Sequence, residues 1–159
     1  MGPLSGRICR LLQGKMTSKK SSNKNLEGLI KPYGGALINL MASDQETKEL
    51  KKNSFKTLNC SDRNACDIEL LLIGAFSPLK GFMNEENYNS VVQQNRIKSG
   101  LLFGLPIVMD TDRDDIQPGD SVLLKYKDQK LAILDEKEKW IPEKVIEANF
   151  CYGTTSLEH

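Results

Sequence analysis

Arg63-Asn64-Ala65-Cys66-Asp67-Ile68-Glu69 gathers a guanidinium, a thiol and two carboxylates within seven residues. Such a set could shuttle a proton or attack an electrophile. The sequence supplies no base for the thiol. Its one histidine, His159, is the last residue, so Cys66 lacks the partner a nucleophile needs. Arg63 and Asp67 stand at the i,i+4 spacing of a helical ion pair. Arg63, Asp67 and Glu69 therefore read first as an ion-paired helix start and domain-interface anchor, with a polar catalytic trio as the other reading. Cys9, Cys60, Cys66 and Cys151 show no Cys-x-x-Cys spacing, and one terminal histidine is too little for a tetrahedral zinc site. They read as reduced, mostly buried thiols. Asp112, Asp114 and Asp115 lack the distal Glu of a calcium loop and read as loop acids. Gly34-Gly35 has neither the Lys-Ser/Thr of a phosphate loop nor the third glycine of a dinucleotide fingerprint, and reads as a turn. No catalytic, cofactor or metal residue is assigned.

The elements that hold these residues centre on 62–83. Asp62 or Ser61 can cap a helix in which Ala65, Ile68, Leu71 and Leu72 recur at helical spacing, and Gly74 can close it. Phe76, Leu79, Phe82 and Met83 then hang on a loop bent by Pro78 and Gly81 and must be buried. Upstream, Lys31 to Gly35 reads as a turn and Ala36 to Leu40 as a short strand. Ser43 to Lys52 reads as a surface helix opened by a Ser43/Glu46 capping box. Downstream, Asn84 caps a helix that buries Tyr88, Val91 and Val92. Leu101 to Asp110 reads as a buried strand, with Pro106 near its start or at an edge. Pro118-Gly119 makes a type II turn into a hairpin of 121–126 and 130–134. A last helix runs from Pro142 through Asn149, with Trp140 and Ile141 packing before it. These elements suggest an α+β domain, a small and partly closed β-barrel with helices alongside.

At 159 residues and 39% hydrophobic content, with a mean hydropathy of -0.41, the chain suits one soluble domain. No apolar run has the length of a membrane span. The net charge of +1 hides an asymmetry. Residues 1–26 hold six bases and no acid, leaving 16 bases against 21 acids in the rest. The first 25 residues read as a disordered basic tail. An organelle transit peptide is compatible with that composition, but a cytoplasmic location is preferred. Met16 opens a second plausible start, so residues 1–15 read equally as an overlong start. No secretory signal is present, and Gly6 stands where myristoylation needs Ser or Thr.

Three stretches together resemble the N-terminal domain of ATP sulfurylase (sulfate adenylyltransferase). The first is Arg63-Asn64-Ala65-Cys66-Asp67-Ile68-Glu69-Leu70 followed by Gly74-Ala75-Phe76-Ser77-Pro78-Leu79-Lys80-Gly81-Phe82-Met83. The second is Pro32-Tyr33-Gly34-Gly35, and the third Leu105-Pro106-Ile107-Val108-Met109-Asp110. Tyr88, Val91, Val92 and Arg96 also match, and Tyr152 to His159 resembles the junction into that family's catalytic domain. Gly104 departs from the family, whose members often carry proline there. The resemblance covers about 28–159. It implies a PUA-like mixed β-barrel over 26–150, with 151–159 starting the junction to a catalytic domain not included in this sequence. It also implies an enzyme that joins sulfate and ATP, with magnesium, into adenylylsulfate and pyrophosphate. The Gln-x-Arg-Asn-Pro-x-His-x-x-His and Gly-Arg-Asp-His-Ala-Gly motifs that carry that chemistry do not occur here. ATP and magnesium are therefore expected only with the full-length enzyme. The signature residues Arg63, Asp67, Glu69, Gly74, Phe76, Ser77, Pro78, Leu79, Gly81, Phe82 and Met83 are expected to serve structure and a domain interface. The expected partner is the catalytic domain, with a homo-oligomer in the full-length enzyme and no membrane or specific nucleic acid. The alternatives are a stand-alone RNA-binding module of the same fold and a subunit that complements a separate catalytic domain.

Overall fold

The computed structural model of the chain describes residues 2–10, 30–50 and 54–156. Its most deeply buried helix is α2 (Asp62–Leu72). Ser61 caps it by accepting the Asn64 N–H at 3.2 Å, and Ala65, Ile68, Leu71 and Leu72 form its buried stripe. Gly74 follows with φ of 82°. A Cβ at Gly74 would lie 2.7 Å from the Ile38 carbonyl oxygen and 2.9 Å from Leu37 Cδ1. Glycine is required here twice over, for its conformation and for the approach of a second backbone.

That second backbone is segment 36–40, which the sequence reading takes as a strand. It is extended but joins no sheet. Its N–H groups find other acceptors: Ile38 donates to Ser77 Oγ at 2.9 Å and Leu40 to the Leu72 carbonyl at 3.0 Å. Ser77 Oγ in turn donates to the Gly74 carbonyl at 2.6 Å. A buried hydroxyl and a helix end thus satisfy the segment as a ladder would. The turn before it is a short 3-10 helix, Tyr33–Gly35.

The strands β1 (Gly2–Arg10), β2 (Lys56–Asn59), β3 (Gly81–Phe82), β4 (Met109–Thr111), β5 (Ser121–Tyr126) and β6 (Gln129–Lys139) make one mixed sheet. Its order is β2-β5-β6-β1-β3, with β4 also pairing β1. Only β2 and β5 run parallel. The Pro118-Gly119 turn is as expected, with the Asp120 N–H donating to the Gln117 carbonyl at 3.0 Å and φ of 101° at Gly119. The hairpin is also as expected, although β6 runs five residues further than the sequence suggests.

Three expectations need correction. Residues 2–10, read as part of a disordered tail, form β1 between β6 and β3, while the rest of that tail lies outside the described residues. Gly2, Pro3, Ser5 and Gly6 give no alternating pattern, so the strand is made by distant backbone partners and not by local preference. Most of 101–110 is irregular, because Pro106 has no N–H to give a ladder; Met109 and Asp110 enter β4, and Leu102 makes an isolated bridge to Arg96. Ile141 does not pack, being 83% exposed, whereas Trp140 is buried with its ring 6.1 Å from that of Tyr88.

Helix α1 (Asp44–Leu50) opens with the expected capping box: Ser43 N–H donates to Glu46 Oε2 at 2.8 Å and Glu46 N–H to Ser43 Oγ at 3.3 Å. Helix α3 (Glu85–Gln94) is capped by Asn84 and buries Tyr88, Val91 and Val92. Helix α4 (Lys144–Tyr152) is different, with no fully buried residue. The Tyr88 hydroxyl ties it down by donating to Glu147 Oε2 at 2.7 Å, and Lys144 reaches Glu147 at 3.5 Å and Asp110 at 3.8 Å. Burial, with the Glu147 bond adding to it, pushes the Tyr88 phenol up from its ordinary pKa.

Two substitutions test these dependencies. Gly74→Ala should lower stability by about 1–3 kcal/mol through strain alone, read as a lower urea midpoint. Tyr88→Phe should cost about 1.5–3 kcal/mol, the range for a hydrogen bond to a charged acceptor. It should also speed amide exchange over 144–152 while leaving α2 protected. Unchanged exchange in α4 would show that the helix is held by packing instead.

Candidate functional site

Five of the eleven signature residues, Pro78, Leu79, Gly81, Phe82 and Met83, line one cleft, and the other six do not join it. Leu79, Phe82 and Met83 lie in the core with α2's stripe and β5. Ser77 is buried beneath the 36–40 segment. Pro78, joined to Ser77 by a cis peptide, packs toward Gly34, where a Cβ would sit 2.9 Å from Pro78 Cβ. Gly81 sits in β3, opposite Arg7 of β1. Phe76 is half-buried, its ring edge-on to Phe103 at 6.3 Å.

The polar trio does not assemble either. Arg63 is exposed and its Nε lies 3.9 Å from Asp67 Oδ2, an open helical ion pair. Partial burial raises the Asp67 pKa, and Arg63 lowers it in opposition. Glu69 is exposed and makes no bond to either. Cys66 is exposed, contrary to the expectation of mostly buried thiols, while Cys60 and Cys151 are half-buried. Burial pushes the Cys60 thiol up to about 11 and the Cys151 thiol upward too, the direction that disfavours the nucleophilic thiolate.

Two of the three loop acids, Asp114 and Asp115, are paired with cations, as is Asp120. Arg113 Nε donates to Asp115 Oδ1 at 2.8 Å, Lys56 pairs with Asp120 at 2.6 Å, and Lys139 lies 3.7 Å from Asp114. Arg113 holds the Asp115 carboxyl below its usual range, and Lys56 does the same for Asp120. Arg113 and Lys56 also donate to the carbonyls of Thr57 and Asp115, so the network staples β2 to the loop before β5. Among the described residues no group of three or more His, Cys, Asp or Glu is placed to hold a metal ion.

The surface does present two apolar faces. One surrounds the end of α2, where Ile73 and Leu37 are exposed beside Gly74. Tyr33 joins it to Leu102 by donating its hydroxyl to the Leu102 carbonyl at 2.8 Å. The other is the outer side of α4 and its approach: Ile141, Val145, Ile146, Phe150 and Tyr152, between 37% and 83% exposed. Four large apolar side chains on a helix that buries none fully, with Ile141 just before it, make an exposed apolar face. The sequence carries this signal in Val145, Ile146, Phe150 and Tyr152, which fall on one side of a helix.

A family described as PUA-like domain matches residues 30–159. Among curated proteins, the chain is similar to a sulfate adenylyltransferase of Neurospora crassa, 40% identical over 132 residues, covering 77% of this chain and 23% of that protein. It is similar to the sulfate adenylyltransferase of Yarrowia lipolytica at 40% over 127 residues, covering 74% and 22%. A probable bifunctional SAT/APS kinase 2 of Sorangium cellulosum is 33% identical over 138 residues, covering 83% and 24%. Among solved structures, a hexameric APS kinase from Thiobacillus denitrificans matches with a TM-score of 0.56 and 27% identity, over 70% of this chain and 26% of that one. The chain thus spans about a quarter of the length of the proteins it matches. It belongs to the family of PUA-like domains, in the form that sulfate adenylyltransferases carry in their N-terminal part.

Proposed function

We propose that this chain is the structural N-terminal domain of a sulfate adenylyltransferase, and that its α4 face seats the enzyme's catalytic domain. The observation that carries the reading is the exposure of Val145, Phe150 and Tyr152 on a helix that buries no residue fully. Desolvating such a face against a second domain contributes about 25 cal/mol per Å² of apolar area. The catalytic step itself belongs to the other domain. Transfer of a nucleotidyl group to a sulfate dianion needs converging cations to neutralise the charge that develops, and here Arg113, Lys56 and Lys139 are tied to fixed carboxylates. ATP and magnesium are held by that domain, and the assembled enzyme works in the cytoplasm. The face around Ile73 and Leu37 is left for contacts between copies, a reading supported by the hexameric state named for the similar APS kinase.

Two measurements check this. Titration calorimetry with ATP and a pyrophosphate-release assay on the chain alone should both be blank; turnover would overturn the reading. In a chimera, this chain replaces the matching part of the Neurospora crassa enzyme. That protein should melt in one transition, and Val145→Asp/Phe150→Asp should split it into two. A single transition in both proteins would exclude α4 as the seat.

A further inference from the structure

A cleft of about 960 Å³ lies between the 78–84 loop, segment 38–40, the 97–99 turn and Lys137 of β6. Its floor is apolar, formed by Ile38, Leu40, Pro78, Leu79, Phe82 and Ile97. Every charged side chain lining it is a lysine: Lys80, Lys98 and Lys137. This reverses the local balance, because acids outnumber bases 21 to 16 beyond residue 26. Lys98 pairs with Glu86 at 3.0 Å, outside the lining. Lys80 and Lys137 have no ion-pair partner among the described residues. Asn84 Nδ2 and the Ser99 hydroxyl, also in the lining, make no hydrogen bond there either. The rim therefore offers cations and donors over an apolar floor.

We propose that this cleft is a docking groove for a partner protein's acidic peptide segment that carries apolar side chains. Its carboxylates meet Lys80 and Lys137, and its apolar side chains cover the half-buried Ile38, Leu40 and Pro78. A small inorganic anion fits less well. It would leave the floor uncovered, and all three lysines are exposed, so they steer an extended anionic chain and do not clamp a compact one. The volume stands near the top of the range for ligand sites, with room for several side chains.

The test is a titration of the ¹⁵N-labelled 159-residue chain, followed by amide shifts, with three probes: a peptide alternating Glu and Phe, one alternating Glu and Gly, and tripolyphosphate. Shifts should map to Lys80–Asn84 and Ile97–Ser99 with the Glu-Phe peptide, which should bind about tenfold more tightly than either other probe. Lys80→Glu/Lys137→Glu should weaken it about tenfold, and raising the salt should weaken it further. Ile38→Ser should weaken the Glu-Phe peptide and leave tripolyphosphate unchanged. Both variants are to retain the parent melting temperature; if either unfolds, Lys80→Gln alone serves in its place. Absence of binding, equal binding of tripolyphosphate, or shifts confined to α4 would each overturn the proposal.

Discussion

The contact on which the described surface depends is the approach of one extended backbone to the end of a helix. Gly74 leaves no room for a Cβ, and the Ile38 carbonyl occupies that space. Ser77 then bridges the two, accepting from Ile38 and donating to Gly74. This arrangement closes the open end of α2, holds the 76–83 loop under segment 36–40, and leaves Leu37 and Ile73 on the outside. The same segment supplies Ile38 and Leu40 to the lysine-rimmed cleft. One buried hydroxyl and one missing methyl group thus frame both an apolar face and a groove.

The apolar residues of the signature stretch divide between the core, as Phe82 and Met83, and a half-buried aromatic pair at Phe76. Its charged residues are an exposed Arg63 paired with a part-buried Asp67, and the exposed Glu69 and Lys80. Elsewhere, the carboxylates that could hold a metal are held by Arg113, Lys56 and Lys139. Those pairs are exposed, so each contributes modestly, but together they fix β2 beside β5. The result is a scaffold whose polar groups serve its own geometry and whose faces are available to neighbours.

Much of this was legible from local pattern. The capped α2, its buried stripe, the Asn84 and Ser43 caps and the Pro118-Gly119 hairpin each have a signal within a few residues. What could not be read depends on residues far away. β1 has no alternation and is a strand only because β6, β3 and β4 pair with it. Segment 36–40 has strand composition, yet its acceptors are Ser77 Oγ and Leu72 O, so it never enters the sheet. Ile141 follows a buried tryptophan and was grouped with it, although the chain turns outward there. The cleft was equally invisible, since Lys80, Lys98 and Lys137 are far apart in sequence and are joined only by the fold.

The position of β1 bears on how the chain is made on the ribosome. Translation delivers β1 before any of its partners, since Leu4 pairs with Met109 and Lys139, and Gly6 with Phe82. Until residues 132–139 have been synthesised, β1 has only the short ladders with β3 and β4 to join, and the edge that β6 will cover stays open. The β5–β6 hairpin, joined by two residues, has no such wait. The interior of the sheet is therefore completed by a strand synthesised well before its main partner, and a nascent-chain chaperone would meet its longest-lived open edge there.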